Sequence, residues 1–232
     1  MFSTTSNSRL EPHVCMTESF LDQASNESCV SGFLHRAENS RADGLVLTHS
    51  AGGNCKSPLL VALAEALCGK GVTVLRCDLP FRQLRPHGPP LGSAEKDQEG
   101  IRRAVQVMRK QVSGRIFLGG HSYGGRMATM LCAREPSIAD GLLLLSYPLH
   151  PPLKPQQLRT AHFPDLHCRA LFVHGTRDPF GSIEEMEAAL RLTSAETKLV
   201  SIDGAGHEVI TNASQERVIG LIVAEFTSWL QQ

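Results

Sequence analysis

The stretch RIFLGGHSYGGRMATMLCAREP (residues 115–136) joins an apolar run to a helical pattern through a glycine-rich turn. The run RIFLGG is typical of a buried strand, and the segment that follows predicts a helix ending before Pro136. Ser122 stands in the turn as Gly-x-Ser-x-Gly, a pattern that can hold a serine hydroxyl above a sheet. The same pattern also fits a structural or phosphate-binding glycine turn, so the pentapeptide alone does not show whether Ser122 is a nucleophile.

Strand and helix patterns alternate on both sides of this turn. Compact apolar runs at 44–50, 72–80, 141–148, 169–176 and 197–203 alternate with helical spacing at 57–71, 94–111, 182–193 and 214–230. Such alternation is typical of a parallel sheet with helices on both faces. The sequence therefore predicts an α/β fold, a three-layer α/β/α sandwich with a mostly parallel, doubly wound sheet.

The N-terminal part of the chain carries a weaker pattern. Residues 1–12 are polar and rich in serine, which predicts a disordered tail. Between His13 and Arg41 we expect only short edge strands, such as Cys29–Leu34. With neither an internal repeat nor a low-complexity linker, residues 13–232 are interpreted as one domain.

Composition narrows the function classes. The 232-residue chain has 23 basic and 23 acidic residues, so its net charge of zero does not favour nucleic acid or an anionic membrane as a partner. No apolar run approaches the roughly 20 residues of a membrane span, and the N-terminus does not resemble a signal peptide. The seven cysteines contain no Cys-x-x-Cys pair. We therefore expect reduced thiols and a cytoplasmic protein.

Three polar residues follow predicted strands in a suggestive order. Ser122, Asp178 in HGTRDPFG and His207 in DGAGHEV each come directly after a strand pattern. The carboxyl ends of parallel strands meet at one edge of the sheet, where ligands bind. Alone, Asp178 also fits a turn before Pro179, and His207 also fits a surface histidine. Together they follow the chain order of a Ser-Asp-His catalytic triad.

A glycine-rich loop after the first strong strand completes this site. A hydrolase of this type needs two backbone N–H groups that bind the oxyanion of the transition state. The residue after the nucleophile, Tyr123, supplies one, and Ala51 in THSAGGN is the best candidate for the other. A plain glycine turn explains the glycines of this loop but not its position opposite Ser122.

From about Gly44 onward the chain resembles the dienelactone-hydrolase-like α/β-hydrolases. More narrowly, it is similar to small predicted hydrolases related to testis-expressed protein 30 and to a subunit of a histone acetyltransferase complex. The shared motifs are THSAGGN, RCDLPFR, GGHSYGGRM, SYPLHPPLKP, HGTRD and GAGHEV. The resemblance implies an eight-strand sheet lacking part of its first hairpin, and catalytic roles for Ser122, Asp178 and His207. The resemblance is also compatible with a protein partner, because some members of the family are interaction proteins.

Residues around the predicted site suggest the shape of the substrate pocket. Only about 20 residues, rich in proline, separate the strands at 141–148 and 169–176, which predicts a minimal cap and an open pocket. His121, which stands with Tyr123 where Lys and Met are common in the family, could change the pocket's charge. Tyr147 and His150 are candidate wall residues, with loop packing as the alternative.

Charged and metal-binding candidates near the strand ends are weaker. Arg82, with Arg85 as a second choice, could bind a substrate carboxylate, although exposed arginines are usually only solvated. His49, His121 and His174 also lie near strand ends, but no metal-ligand spacing is present and we predict no metal site.

The sequence therefore predicts a cofactor-independent serine hydrolase. Its substrate is expected to be a small soluble ester, thioester or lactone, cleaved through an acyl-enzyme on Ser122. The alternative is a protein-interaction module that keeps the fold with little or no catalytic activity.

Overall fold

A computed structural model describes residues 15–23, 29–37 and 43–230, so the predicted tail 1–12 lies outside the described residues. The strands are β1 (Cys15–Asp22), β2 (Val30–Ala37), β3 (Gly44–Thr48), β4 (Thr73–Cys77), β5 (Ile116–His121), β6 (Gly141–Leu145), β7 (Ala170–Gly175) and β8 (Thr197–Ile202). The helices are α1 (Pro58–Cys68), α2 (Pro80–Leu84), α3 (Ala94–Arg109), α4 (Tyr123–Arg134), α5 (Ile183–Leu190) and α6 (Gln215–Leu230). Within these ranges no helix is long and apolar enough to cross a membrane.

All eight strands form one sheet in the order β1-β2-β4-β3-β5-β6-β7-β8. Strand β2 is antiparallel to both neighbours, and the pairs from β4 through β8 are parallel. Strands β3 to β7 are buried along their whole length, because helices cover both faces and continuous apolar runs suit that environment. This is the α/β-hydrolase fold, and it confirms the predicted fold class.

Two hydrophobic cores lie on opposite faces of the sheet. Helices α1 and α6 pack on one face, around Leu63 and Phe226. Helices α3, α4 and α5 pack on the other face, around Met127 and Met186. The connection from β6 to β7 contains only a short 3-10 turn at Phe163–Asp165, so this connection adds no helical lid above the end of β5.

The first hairpin is more complete than the sequence predicts. Strands β1 and β2 each have eight residues and pair along their full length, from Cys15 with Ala37 to Asp22 with Val30. Two features hide them in the sequence. The edge strand β1 is largely exposed, and β2 buries a polar residue, His35. The expected loss of part of this hairpin is therefore wrong.

A disulfide joins the hairpin to the first helix. Cys15 at the start of β1 is bonded to Cys68 at the end of α1, with their Cα atoms 5.7 Å apart and a sequence separation of 53. The expectation that all seven cysteines are reduced is wrong for this pair. The other five, Cys29, Cys55, Cys77, Cys132 and Cys168, are free thiols. Cysteine spacing gave no sign of the pair, because only the folded sheet brings these positions together.

Buried His35 makes the stability of this region depend on pH. Its Nε2 accepts a hydrogen bond from Arg76 Nε at 2.8 Å, and burial together with the Arg76 charge lowers its pKa from 6.5 to about 4. As pH falls, the His35 imidazole therefore takes up a proton near pH 6.5 in the unfolded chain, but only near pH 4 in the folded chain. We expect the free energy of unfolding to fall as pH drops through this window, because the unfolded state then holds more protons.

Urea unfolding at pH 7.5, 5.5 and 4.5 measures this effect. In His35→Gln the amide oxygen can still accept a hydrogen bond from Arg76, but the side chain no longer titrates. The free energy of unfolding should therefore fall less between pH 7.5 and pH 4.5 than it does in wild type. His162, whose pKa burial also lowers to about 4, contributes a remaining decline in both proteins. An identical pH dependence in wild type and His35→Gln would contradict the assignment to His35.

Candidate active site

Ser122 occupies the tight turn between β5 and α4. Its φ of 52° and ψ of −111° lie outside the regions that a serine prefers, and its N–H donates to Leu145 O at 2.8 Å. The flanking glycines make the turn sterically possible. A Cβ on Gly120 would lie 2.4 Å from Gly125 N, and one on Gly124 would lie 2.5 Å from Thr48 Oγ1. Both glycines of Gly-x-Ser-x-Gly are therefore required by close packing, and the serine hydroxyl is held above the sheet.

The structure brings Ser122, His207 and Asp178 into one hydrogen-bonded line. His207 Nε2 lies 2.8 Å from Ser122 Oγ, and His207 Nδ1 lies 2.8 and 3.0 Å from the two carboxylate oxygens of Asp178. The Asp178 side chain is fully buried, and the His207 side chain is 18% exposed. Asp178 Oδ1 also accepts from Phe180 N–H at 2.9 Å, so this residue forms the turn that the alternative interpretation expected as well.

Two neutral histidines support the loops that carry His207 and Asp178. His121 Nε2 donates to the backbone oxygen of His207 at 2.9 Å, and His174 Nε2 donates to Gly181 O at 2.8 Å. Burial lowers the pKa of both imidazoles, which keeps them uncharged beside His207 and Asp178. The Phe180 ring packs on His207 with centroids 4.2 Å apart. The position of His207 is therefore fixed from several sides.

The two predicted oxyanion donors lie on loops that contact each other. Tyr123 is the first residue of α4, where a backbone N–H has no partner inside the helix. Gly124 N–H donates to His49 O at 3.1 Å, which ties this turn to the loop that carries Ala51. The Tyr123 hydroxyl donates to Asp97 Oδ2 at 2.6 Å and so points away from the turn. Ala51, Ser122 and Tyr123 line the same cavity.

Arg82 does not face this cavity, which corrects the prediction that it binds a substrate carboxylate. Its side chain is buried, and its guanidinium donates to four backbone oxygens at 2.7 to 3.1 Å, those of Ala51, Gly53, Arg85 and Gly88. A single Arg82 guanidinium thus holds the loop that carries Ala51. The second choice, Arg85, is exposed and is not among the residues that line the cavity.

Loss of the Arg82 guanidinium should disturb the loop without touching the triad. We expect Arg82→Met to lower kcat/KM for a small ester about 10- to 100-fold, because removing one oxyanion donor outright costs about 100- to 1,000-fold. The melting temperature should also fall, since these four backbone oxygens lose a charged hydrogen-bond donor. Arg85→Met, at an exposed position, is the matched control and should change neither quantity. A folded Arg82→Met with wild-type kcat/KM would contradict this role.

The other predicted wall residues pack inside the protein. Tyr147 is 1% exposed and its hydroxyl donates to Arg159 O at 2.7 Å, while His150 lies 3.2 Å from Glu185 Oε2. His121 is buried against the His207 loop. None of the three lines the cavity, so for Tyr147 and His150 the loop-packing alternative is correct.

The cavity beside Ser122 has a volume of about 720 Å³ and is open to solvent. Its lining includes two arginines that the sequence analysis missed, Arg126 and Arg159. Arg126 was detectable, because a residue four positions after Ser122 on a helix lies on the same side. Arg159 was not, since it lies in an irregular connection. Among the described residues, no group of three or more His, Cys, Asp or Glu side chains could hold a metal ion.

This geometry agrees with comparison to known proteins. A family model described as alpha/beta hydrolase domain matches residues 41–228. Because the match spans most of the sequence, the chain belongs to the alpha/beta hydrolase domain family. The narrower likeness to hydrolases related to testis-expressed protein 30 stays a prediction.

Solved structures share the fold at low sequence identity. Dienelactone hydrolase from Anabaena variabilis is 21% identical with a TM-score of 0.73, over 91% of this chain and 98% of that one. Est1E from Butyrivibrio proteoclasticus is 18% identical with a TM-score of 0.71, over 92% and 99%. XC6422 from Xanthomonas campestris, described as a serine hydrolase without a lid, is 15% identical with a TM-score of 0.67, over 92% and 94%. At these identities the likeness establishes the fold alone.

Proposed function

We propose that this protein is a serine hydrolase that cleaves a small ester, thioester or lactone through an acyl-enzyme on Ser122. One observation carries the proposal: His207 lies between Ser122 Oγ and the Asp178 carboxylate, within 3.0 Å of each. A serine hydroxyl becomes a useful nucleophile only when a base takes its proton. A carboxylate on the far nitrogen keeps the imidazole in the tautomer that can do so.

The reaction follows from these positions. Ser122 Oγ attacks the acyl carbon while His207 Nε2 takes its proton, and the N–H groups of Ala51 and Tyr123 bind the oxyanion that forms. His207 then returns the proton to the leaving oxygen or sulfur as its bond to the acyl carbon breaks. Water then attacks the acyl carbon while His207 Nε2 takes its proton. The bond between the acyl carbon and Ser122 Oγ breaks, and His207 returns the proton to Oγ, which releases the carboxylic acid and restores the Ser122 hydroxyl.

The open cavity supports a small substrate. About 720 Å³ fits a drug-sized molecule or less, and the connection from β6 to β7 adds no lid that would enclose a long chain. Among the proteins of similar fold are a dienelactone hydrolase and Est1E, which has been solved with bound ferulic acid. These neighbours suggest ester and lactone chemistry for the first assays.

Esters of graded length test the proposal. With p-nitrophenyl acetate, butyrate and octanoate, and with a butyryl thioester, we expect turnover by wild type well above that of Ser122→Ala, favouring the shorter acyl chains. No turnover above Ser122→Ala on any of these substrates, by a folded protein, would favour the interaction-module alternative instead. A pull-down with the Ser122→Ala protein as bait would then be the next experiment.

A further inference from the structure

Two arginines stand in the cavity beside Ser122, on different elements. The N–H of Arg126 donates to Ser122 O at 3.0 Å, so its side chain begins one helical turn behind the nucleophile. Arg159 lies in the connection from β6 to β7, where its N–H donates to Leu149 O at 2.8 Å and its oxygen accepts from Tyr147. The fully buried Tyr147 thus anchors the backbone of Arg159 beside the cavity.

These two guanidinium groups have no anionic partner in the described part of the chain. No described carboxylate lies within 4.0 Å of either one. Arg126 Nε is buried without a hydrogen-bond partner among the described residues, and Arg159 donates only a long bond, 3.4 Å, to Pro148 O. By contrast, several arginines elsewhere are paired with carboxylates: Arg36, Arg102, Arg115 and Arg169.

Neither of these two positive charges forms an ion pair with a described carboxylate. The side chains of Arg126 and Arg159 are both half-buried. Like charges repel each other more strongly in such surroundings than in water. Burial and the charge of Arg126 lower the pKa of Arg159, although an arginine stays protonated at neutral pH. The acidic residue of this cavity, Glu208, is exposed and adjoins His207 in sequence. An anion between the arginines would therefore offset their repulsion and supply the missing hydrogen-bond acceptors.

The arginines also mark a place along the binding surface. Both line a second cavity of about 400 Å³, which contains Asp165 and His162 but not Ser122. Because both residues belong to the two cavities, they stand where the cavities meet. A substrate whose acyl carbon lies at Ser122 would reach them with its other end.

We infer that Arg126 and Arg159 form a binding site for a carboxylate or phosphate group carried by the substrate. The inference rests on the proposed hydrolase function, and it narrows the substrate class to anionic esters or thioesters. The sequence predicted an anion site at Arg82; the inferred site lies instead at Arg126 on α4 and Arg159 in the connection from β6 to β7.

Paired substrates of equal acyl length test this site. The quantity to measure is the ratio of kcat/KM for p-nitrophenyl hemisuccinate, which carries a carboxylate, to kcat/KM for neutral p-nitrophenyl butyrate. We expect the ratio to fall about 10- to 100-fold in Arg126→Gln and in Arg159→Gln, the range for a lost charge-assisted hydrogen bond. Arg126→Lys should recover part of it, and Arg85→Gln, outside the cavity, should leave it unchanged. A ratio within twofold of wild type in both glutamine variants would overturn the inference.

A binding measurement separates this inference from the proposed function. Succinate and methyl phosphate should each raise the melting temperature of the Ser122→Ala protein more than sodium chloride of equal ionic strength does. The stronger of the two identifies carboxylate or phosphate as the preferred group. The effect should disappear in Ser122→Ala proteins that also carry Arg126→Gln or Arg159→Gln. If wild type hydrolyses neither ester, only the proposed function is contradicted. If neither anion raises the melting temperature of the Ser122→Ala protein, or if the rise persists in both glutamine variants, the anion site is contradicted.

Discussion

Replacing Ser122 with alanine is expected to lower kcat/KM for a small ester by about 10,000- to 1,000,000-fold. In the proposed mechanism the Ser122 oxygen is the atom that attacks, and no other described hydroxyl is bonded to His207 Nε2. The fold should survive, because alanine keeps a Cβ in the same turn and Ser122 N–H still donates to Leu145 O. Circular dichroism and the melting temperature check this, while ester hydrolysis measures the loss.

The double variant sharpens this prediction. Adding His207→Ala to Ser122→Ala should cost little more, because residues that act as one unit lose their function together. A Ser122→Ala protein that keeps a tenth of the wild-type rate, or a second large and independent loss from His207→Ala, would contradict the assigned roles.

Asp178→Asn is expected to lower kcat/KM by about 10,000-fold. Both carboxylate oxygens of Asp178 accept from His207 Nδ1, which leaves Nε2 free to take the serine proton. The asparagine amide can instead donate to His207 Nδ1. The imidazole then carries its proton on Nε2, which can no longer take the proton of Ser122. The asparagine oxygen can still accept from Phe180 N–H, so the turn itself should persist.

A matched variant separates this effect from general loss of charge. Asp203→Asn changes an exposed aspartate at the end of β8 and should leave kcat/KM within about twofold, as expected for a surface substitution. An Asp178→Asn protein with activity within tenfold of wild type would show that the aspartate does not orient His207.

The central sheet, and the positions of Ser122, Asp178 and His207 after its strands, could be predicted from the sequence because each depends on a local pattern. Strand β6 is the run GLLLL, and Gly-x-Ser-x-Gly marks the turn from β5 into α4, so local pattern and tertiary environment agree. Ser122, Asp178 and His207 each follow a strand. A parallel sheet brings such positions to one edge whatever their separation in sequence.

Features that depend on distant parts of the chain could not be read in this way. Cys15 and Cys68 meet only in the folded protein, where β1 and β2 pair, β2 pairs with β4 and α1 packs against β4. Arg82 resembles a solvated arginine in sequence, yet folding buries it among backbone oxygens of two loops. Arg159 reaches the cavity through an irregular connection that carries no periodicity. Its position is set by the buried hydroxyl of Tyr147.

Covalent labelling with a fluorophosphonate tests the central claim most directly, because the reagent needs an activated serine but no knowledge of the substrate. Intact-protein mass is compared for wild type, Ser122→Ala and His207→Ala after the same incubation. We predict one equivalent of label on wild type, none on Ser122→Ala, and labelling of His207→Ala slowed to near background. A folded wild type that takes up no label, or a Ser122→Ala protein labelled as fast as wild type, would contradict the claim that Ser122 is an activated nucleophile.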